Sequence, residues 1–388
     1  VNSVKQPGRG NYLIKVAHLI DCYLSISEVF IYELIRGLNS VQNFIVARQM
    51  SNPELFPFEP LYYCQNNGGG RIKSILRRFF PGHPDGLHQA EPIIRDEGAS
   101  LLHAHFGLLG VRTLFLKEKL DIPLITSFYG VDASRQARDP RYRKGFKTLF
   151  EEGDLFLAEG SAMKRRLIDL GCSPGKIRLQ HLGVDVKRFD YVERRSPVKN
   201  SAVRVLFCGR FVEKKGLLDA LKAVKIALEE GTPIELRIVG DGPLREEVDG
   251  YIDENFLSAR VEVLGMLDHR SYRRELLKAH VLLQPSKTST DGDTEGGAPT
   301  VLLEAQATGR PVISTTHADI PEYVRHGESG VLVEEGDTQN LARALQSLAR
   351  DPDRRRDMGM LGRLHVLENY NISTEARKLE QIYMEVSR

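Results

Sequence analysis

Short apolar runs bounded by turn residues alternate, almost throughout the chain, with longer segments whose apolar positions recur every three or four residues. The first rhythm is that of buried strands, the second that of amphipathic helices. In the first half, residues 13–20, 43–47, 101–104, 124–127, 154–158 and 177–180 read as strands, and 28–38, 107–119 and 161–170 as helices. In the second half, strands at 203–208, 234–239, 261–264, 281–284, 312–314 and 330–333 alternate with helices near 216–229, 244–255, 271–278, 300–308 and 337–350. Such alternation builds parallel sheets with helices on both faces. Residues 190–202 are polar, contain Pro197 and have no apolar period, so they read as a linker. The pattern predicts an α/β chain of two doubly wound, Rossmann-like domains, 1–193 and 194–371. Ligands belong in the crevice where the carboxyl ends of the two sheets meet.

Composition narrows the class without naming a chemistry. The 388 residues carry 54 Lys+Arg against 52 Asp+Glu, with 41% hydrophobic and 27% charged residues, as in a globular soluble chain. A net charge of +2 gives no general case for nucleic-acid binding. No apolar run approaches the ~20 residues of a membrane span. Residues 13–24 are broken by Lys15, His18 and Asp21 and lack the cleavage site of a secretory signal. Cys22, Cys64, Cys172 and Cys208 are too scattered for a zinc site and read as reduced thiols of a cytosolic protein.

Two stretches of the second half carry chemistry. Gly209-Arg210-Phe211-Val212-Glu213-Lys214-Lys215-Gly216 follows a strand and opens a helix. Arg210 and Lys215 there can hold a pyrophosphate and stabilise it as a leaving group, although a basic turn is also often merely solvated. The second stretch runs from Asp291 to Ala305. Gly296 and Gly297 let backbone approach a ligand, Pro299 starts a helix, and the amides of Ala298, Thr300 and Val301 can face negative oxygens. Glu295 and Glu304 suit hydrogen bonds from hydroxyls. Asp291-Gly292-Asp293 allows a metal reading. The cationic pair already neutralises phosphate, and aspartates in a Gly-rich loop commonly form turns, so no metal and no other cofactor is expected.

Arg210 with Lys215, Val239-Gly240-Asp241-Gly242-Pro243, the Glu295–Glu304 pair and Ala318-Asp319-Ile320-Pro321-Glu322 together resemble the family-four retaining glycosyltransferases. In the first half the resemblance extends to Ser25–Ile31, to His103-Ala104-His105-Phe106-Gly107 and to Leu182-Gly183-Val184-Asp185 with Phe189. The Ser-x-Ser-Glu-x-Phe-Ile run is similar to the exopolysaccharide branch, of the colanic-acid type. The resemblance implies the GT-B fold and a metal-free hexosyltransferase acting from a nucleotide-diphosphate sugar. The acceptor would be a saccharide or lipid-linked saccharide. It makes Arg210 and Lys215 ligands of the donor diphosphate. Glu295 and the amides of Gly296, Gly297, Ala298, Thr300 and Val301 would hold the sugar, Glu304 the ribose, and Met266 would lie by the base. It also implies that the helix of 372–388 packs back on the first domain. Eight residues separate Glu295 from Glu304, where the family has seven.

On the acceptor side, Ser27 reads as the N-cap of a helix with Glu28 in its first turn. His103 and His105 end a strand. Ser127-Phe128-Tyr129-Gly130-Val131-Asp132 stands where relatives carry His-Gly-x-Asp, so Tyr129 replaces a histidine. Asp132, Tyr129 and His105 join Glu295 as catalytic candidates. A tyrosine is a poor base at neutral pH, and the departing phosphate can itself take the acceptor proton. Residues 71–80 alternate Arg/Lys with Ile, Leu and Phe at helical spacing, which fits either an ordinary surface helix or peripheral contact with the inner face of a membrane. Two other readings stay open: a sugar-nucleotide epimerase on the same fold, and a non-catalytic subunit that binds sugar nucleotides or membranes.

Overall fold

A computed structural model describes residues 14–25, 28–64, 87–192 and 202–387. The first sheet contains β1 (Lys15–Tyr23), β2 (Gln42–Met50), β3 (Leu61–Tyr63), β4 (Leu101–His105), β5 (Leu124–Phe128), β6 (Leu155–Ala158) and β7 (Ile177–Leu179). Their order across the sheet is β3-β2-β1-β4-β5-β6-β7. The second contains β8 (Val203–Cys208), β9 (Ile234–Val239), β10 (Val261–Gly265), β11 (Val281–Gln284), β12 (Val312–Thr315) and β13 (Gly330–Val333), in the order β10-β9-β8-β11-β12-β13. Every pairing in both sheets is parallel. β4, β5, β6, β11 and β12 are buried along their whole length, as helices on both faces require.

Each sheet reverses its winding once, between β1 and β4 in the first and between β8 and β11 in the second. A doubly wound sheet opens a crevice beyond the carboxyl ends of its strands at that point, because the flanking connections leave to opposite faces. The loops after β8 and β11 are the two stretches of the second half that carry the basic turn and the Gly-Gly run. Topology therefore brings together segments about 80 residues apart in sequence.

Local capping explains several element ends. Asp139 accepts from the Arg141 amide with Pro140 at the first helical position, starting the helix Pro140–Glu152. Asp268 and Asp337 cap the helices His269–Lys278 and Thr338–Arg350 in the same way. Helix Pro140–Glu152 buries Phe146, Leu149 and Phe150 against Phe128 and Phe156 of the first sheet.

Leu182, Val184, Val186 and Phe189 pack among side chains of the second sheet, so the chain touches the second core before it reaches residues 190–202. Apolar content in a segment without period decides this. The chain then returns: the Val184 amide donates to Tyr370 O at 2.9 Å and the Ile372 amide to Val184 O at 3.1 Å. Helix Ile372–Val386 lays Ala376, Leu379, Ile382 and Tyr383 against Val16, Leu101 and Ile125 of the first sheet. Gly37 admits it, since a Cβ there would stand 3.0 Å from that of Ala376. No helix among the described residues is long and apolar enough to cross a membrane.

Candidate active site

Gly209–Gly216 leaves β8 as a tight turn. A Cβ on Gly216, which has φ +70°, would meet Pro285 O at 1.9 Å, so only glycine lets this turn sit on the end of β11. Gly240 and Gly242 of the Val239–Pro243 run pack directly on Gly209 and Phe211, which buttresses the basic turn from behind. Phe211 is buried and anchors the turn; Arg210 beside it is exposed.

Lys215 reaches the loop after β11, its Nζ 2.8 Å from Glu295 Oε1 and 3.1 Å from Oε2. Lys214, not singled out in the sequence, is buried and donates to Asp293 Oδ1 at 3.1 Å and Thr294 O at 2.9 Å. Its signal was the Lys-Lys doublet, but nothing in the sequence says which lysine turns inward. Burial, the largest influence on Glu295, raises its pKa. The charges of Lys215 and Lys214, with His317, overcome it and hold the carboxyl down at about 2. Ser286 donates to Glu295 Oε1 at 3.1 Å, and the Glu295 amide donates to His317 Nε2 at 3.0 Å. His317 in turn faces Glu335 at 2.6 Å. The carboxylate is thus fixed in the anionic form and in one position.

Gly296 and Gly297 follow, buried against the first domain. A Cβ on Gly296 would lie 2.3 Å from Tyr129 O and 2.3 Å from Glu159 Oε2; one on Gly297 would lie 2.7 Å from Glu159 Cβ. The two glycines are therefore one of the places where the domains touch. Pro299 starts the helix Thr300–Ala307, with Ala298 buried and Thr300 and Val301 half-buried. On that helix Glu304 is buried and accepts from Tyr272 Oη. Burial raises its pKa to about 7, against the pull of that hydrogen bond. A crevice opens here, lined by Phe30, Phe189, His269, Thr300 and Glu304. Met266 stands exposed just beyond β10.

Three of the four catalytic candidates are turned inward. Both oxygens of Asp132 accept backbone amides, from Gly107 at 2.9 Å and from Tyr129, Gly130 and Ala133 at 2.9–3.4 Å. Asp132 clasps its own turn to the start of the helix Gly107–Leu120 and presents no oxygen to a substrate. Tyr129 Oη points to His105 Nδ1 at 2.8 Å, away from the Gly-Gly loop that its carbonyl touches. His105 Nε2 lies 3.2 Å from His18 Nδ1, so both ring nitrogens are occupied and burial depresses its basicity. The neighbouring His103 spans Tyr383 Oη at 2.6 Å and Ser127 Oγ at 2.8 Å, and burial pushes its pKa down to about 3. These histidines tie the first sheet to the closing helix.

Glu28 is itself the N-cap residue and folds back, accepting the Ser25 amide at 2.9 Å, so the helix begins at Val29. Ser27 and residues 71–80 lie outside the described residues. Glu159, absent from the sequence reading, is a buried carboxyl between the domains. Burial, with Asp319 and Asp132 adding to it, raises its pKa well above the usual range, while the Gly297 amide pulls it back. Its one sequence signal is a charged residue directly after a buried strand.

The ring nitrogens of His18, His103 and His105 gather within 4.8 Å of one another. A metal must lie in the plane of each imidazole it binds, and the His103 and His105 rings are stacked, 4.3 Å and 28° apart. Their lone pairs run side by side instead of converging. At the Asp291–Asp293 loop, Asp293 pairs with Lys214 and Asp291 with Arg135.

The family described as Glycosyltransferase Family 4 matches residues 27–188, and Glycosyl transferases group 1 matches residues 192–365. The chain is 35% identical over 287 residues to the putative colanic acid biosynthesis glycosyltransferase WcaL of Salmonella typhimurium, covering 73% of this chain and 70% of WcaL. It is 32% identical over 286 residues to the amylovoran biosynthesis glycosyltransferase AmsK of Erwinia amylovora, with 73% and 70% coverage. Among solved structures, Anabaena HepE in complex with UDP and glucose superposes with a TM-score of 0.76 over 96% of this chain and 100% of its own, at 16% identity.

Proposed function

The chain belongs to the family-four glycosyltransferases and has the GT-B fold, and from that premise we propose a retaining, metal-independent transfer of a hexose from a nucleotide-diphosphate sugar to a saccharide or lipid-linked saccharide. The observation that carries this reading is Lys215 with Glu295 at the switch point of the second sheet, beside the Gly-Gly loop. The donor diphosphate lies against Lys215 and Arg210, where cations neutralise the charge that grows as the glycosidic bond breaks. Glu295, held anionic, accepts hydroxyls of the sugar. Glu304 accepts those of the ribose in the adjoining crevice. Colanic-acid and amylovoran enzymes among the relatives favour cell-surface polysaccharide as the product, and the UDP bound by HepE favours a uridine donor.

Proton transfer is read from the three first-domain candidates among the described residues. Asp132, Tyr129 and His105 have their polar atoms committed to neighbours. In the retaining transfer proposed, the acceptor oxygen attacks the anomeric carbon from the face the diphosphate leaves. Its proton passes to a phosphate oxygen of the leaving group, and the new bond keeps the original configuration. Contact between the domains at Gly296 and Gly297 excludes water, which limits hydrolysis of the donor.

The test is turnover with a panel of nucleotide sugars and an oligosaccharide acceptor, with the product anomer read by NMR. Lys215→Ala lowers the rate on the order of 10²–10³-fold, as for loss of one preorganised donor, and EDTA leaves it unchanged. An inverted product would overturn the retaining mechanism, and activity lost in EDTA and restored by Mn²⁺ would overturn metal independence.

A further inference from the structure

Three arginines of the first domain converge at the mouth of the cleft. Arg135 and Arg138 follow β5, and Arg166 lies on the helix Ser161–Asp169 after β6, so all three stand at the carboxyl edge of the first sheet. They meet one loop of the second domain. Arg135 Nη1 lies 2.9 Å from Asp291 Oδ2, Arg138 Nη1 lies 3.3 Å from Asp291 O, and Arg166 Nη1 donates to Thr294 Oγ1. Thr294 immediately precedes Glu295, which puts the cluster one residue from the active site.

Among the described residues Asp291 is the one carboxylate within ion-pair distance of the three guanidiniums, Asp293 being paired with Lys214, while Asp319 and Asp169 act on Arg166 from farther away. Burial works against the charge of Arg166, Asp319 supports it, and the nearby Arg138 works against it. The partners shown for these two are neutral oxygens, a carbonyl and a hydroxyl, which leaves most of their planar N–H forks unused. The one ion pair, Arg135–Asp291, is half exposed on both sides, and such pairs contribute little and exchange readily. Guanidinium forks with unused N–H groups match the bidentate geometry of a phosphoryl group.

We propose that Arg135, Arg138 and Arg166 form a phosphoryl-binding site on the acceptor side of the cleft, with Asp291 as an internal occupant that the ligand displaces. The ligand class is a phosphate-bearing acceptor, a sugar phosphate or a saccharide carried on a diphosphate. Only the word acceptor rests on the sugar-transfer reading; the anion site stands on its own geometry.

The experiment is calorimetric titration of the full chain with inorganic pyrophosphate. Wild type shows two sites. Lys215→Ala weakens one and leaves the other. Arg138→Gln/Arg166→Gln weakens that other by about tenfold or more and leaves the first. Asp291→Asn keeps the Oδ1 acceptor used by Ser289 and the Asp293 amide but frees Arg135, and it tightens the arginine site several-fold. A single site lost with Lys215→Ala, or weaker binding in Asp291→Asn, overturns the proposal. Flotation on phosphatidylglycerol vesicles separates the sources. Loss of vesicle binding in the double variant with pyrophosphate binding intact would assign these arginines to a lipid surface and overturn the acceptor site. Intact pyrophosphate binding to the arginines in a chain that transfers no sugar would fault the transferase reading and leave the site standing.

Discussion

Replacing Lys215 tests the energetics of the site as well as its chemistry. Its ammonium and the Glu295 carboxylate are both largely buried, at 15% and 9% side-chain exposure. A carboxyl that ordinarily titrates at 4.5 and is held down to about 2 is favoured in its charged form by about 3 kcal/mol. This contribution is present above the unfolded pKa and is lost as pH falls from about 4.5 toward about 2. Lys215 supplies the first of the attractive contributions, with Lys214 and His317 supplying the rest. Lys215→Met therefore costs about 2–3 kcal/mol, somewhat less than breaking an isolated buried pair. Adding Glu295→Gln to the Lys215→Met variant removes the stranded charge and restores much of that loss. Urea unfolding of the four chains at pH 7, with a shared m-value, reads a coupling of about 1–3 kcal/mol. Transfer stays lost in the double variant, because the diphosphate still lacks its cation. A coupling below about 0.5 kcal/mol, or a double variant as unstable as Lys215→Met, would refute the claim that these two groups hold each other in place.

Gly296→Ala forces a Cβ into Tyr129 O and Glu159 Oε2. It should destabilise by about 1–3 kcal/mol and depress transfer, whereas Gly250→Ala, where a Cβ meets nothing within 4 Å, should leave transfer unchanged in the same assay. Glu304 is raised from 4.5 to about 7 by burial, so its proton stabilises the fold at low pH and that stability is lost as pH rises through about 7. Glu304→Gln should therefore gain on wild type between pH 5 and pH 8 in denaturant titrations, and a flat difference would contradict the burial argument. Tyr129→Phe should change the transfer rate by less than about tenfold, since the hydroxyl serves His105; a loss near 10²-fold would return it to the chemistry.

Apolar runs bounded by turn residues mark strands well even where the strand is short or only alternate positions are buried. Strands 203–208, 234–239, 281–284 and 330–333 have the bounds expected from their apolar runs. β3 was missed: it is a three-residue edge strand with no buried position, unlike β7 at the other edge, whose Ile177 is buried. Helix Pro140–Glu152 was missed although its signal was present: Asp139 and Pro140 at the start, then Tyr142, Phe146, Leu149 and Phe150 on one stripe. Its many charges hid the stripe. In the site, Lys215, Glu295 and Glu304 were legible because their spacing relative to glycines, proline and strands is local.

What the tertiary structure decided is which way side chains face. Sequence pattern alone set two parallel α/β sheets, the basic turn after one strand and the Gly-Gly helix start after another, because burial and backbone conformation impose local periods and local residue choices. It could not distinguish Asp132, Tyr129 and His105 as internal struts from groups open to a substrate. Those histidines and aromatics satisfy one another across β1, β4, β5 and a helix nearly 280 residues away. Nor could it find Lys214, Glu159 or the three arginines at the cleft mouth. Their charge states and partners exist only once two sheets close on each other and the intervening water is removed.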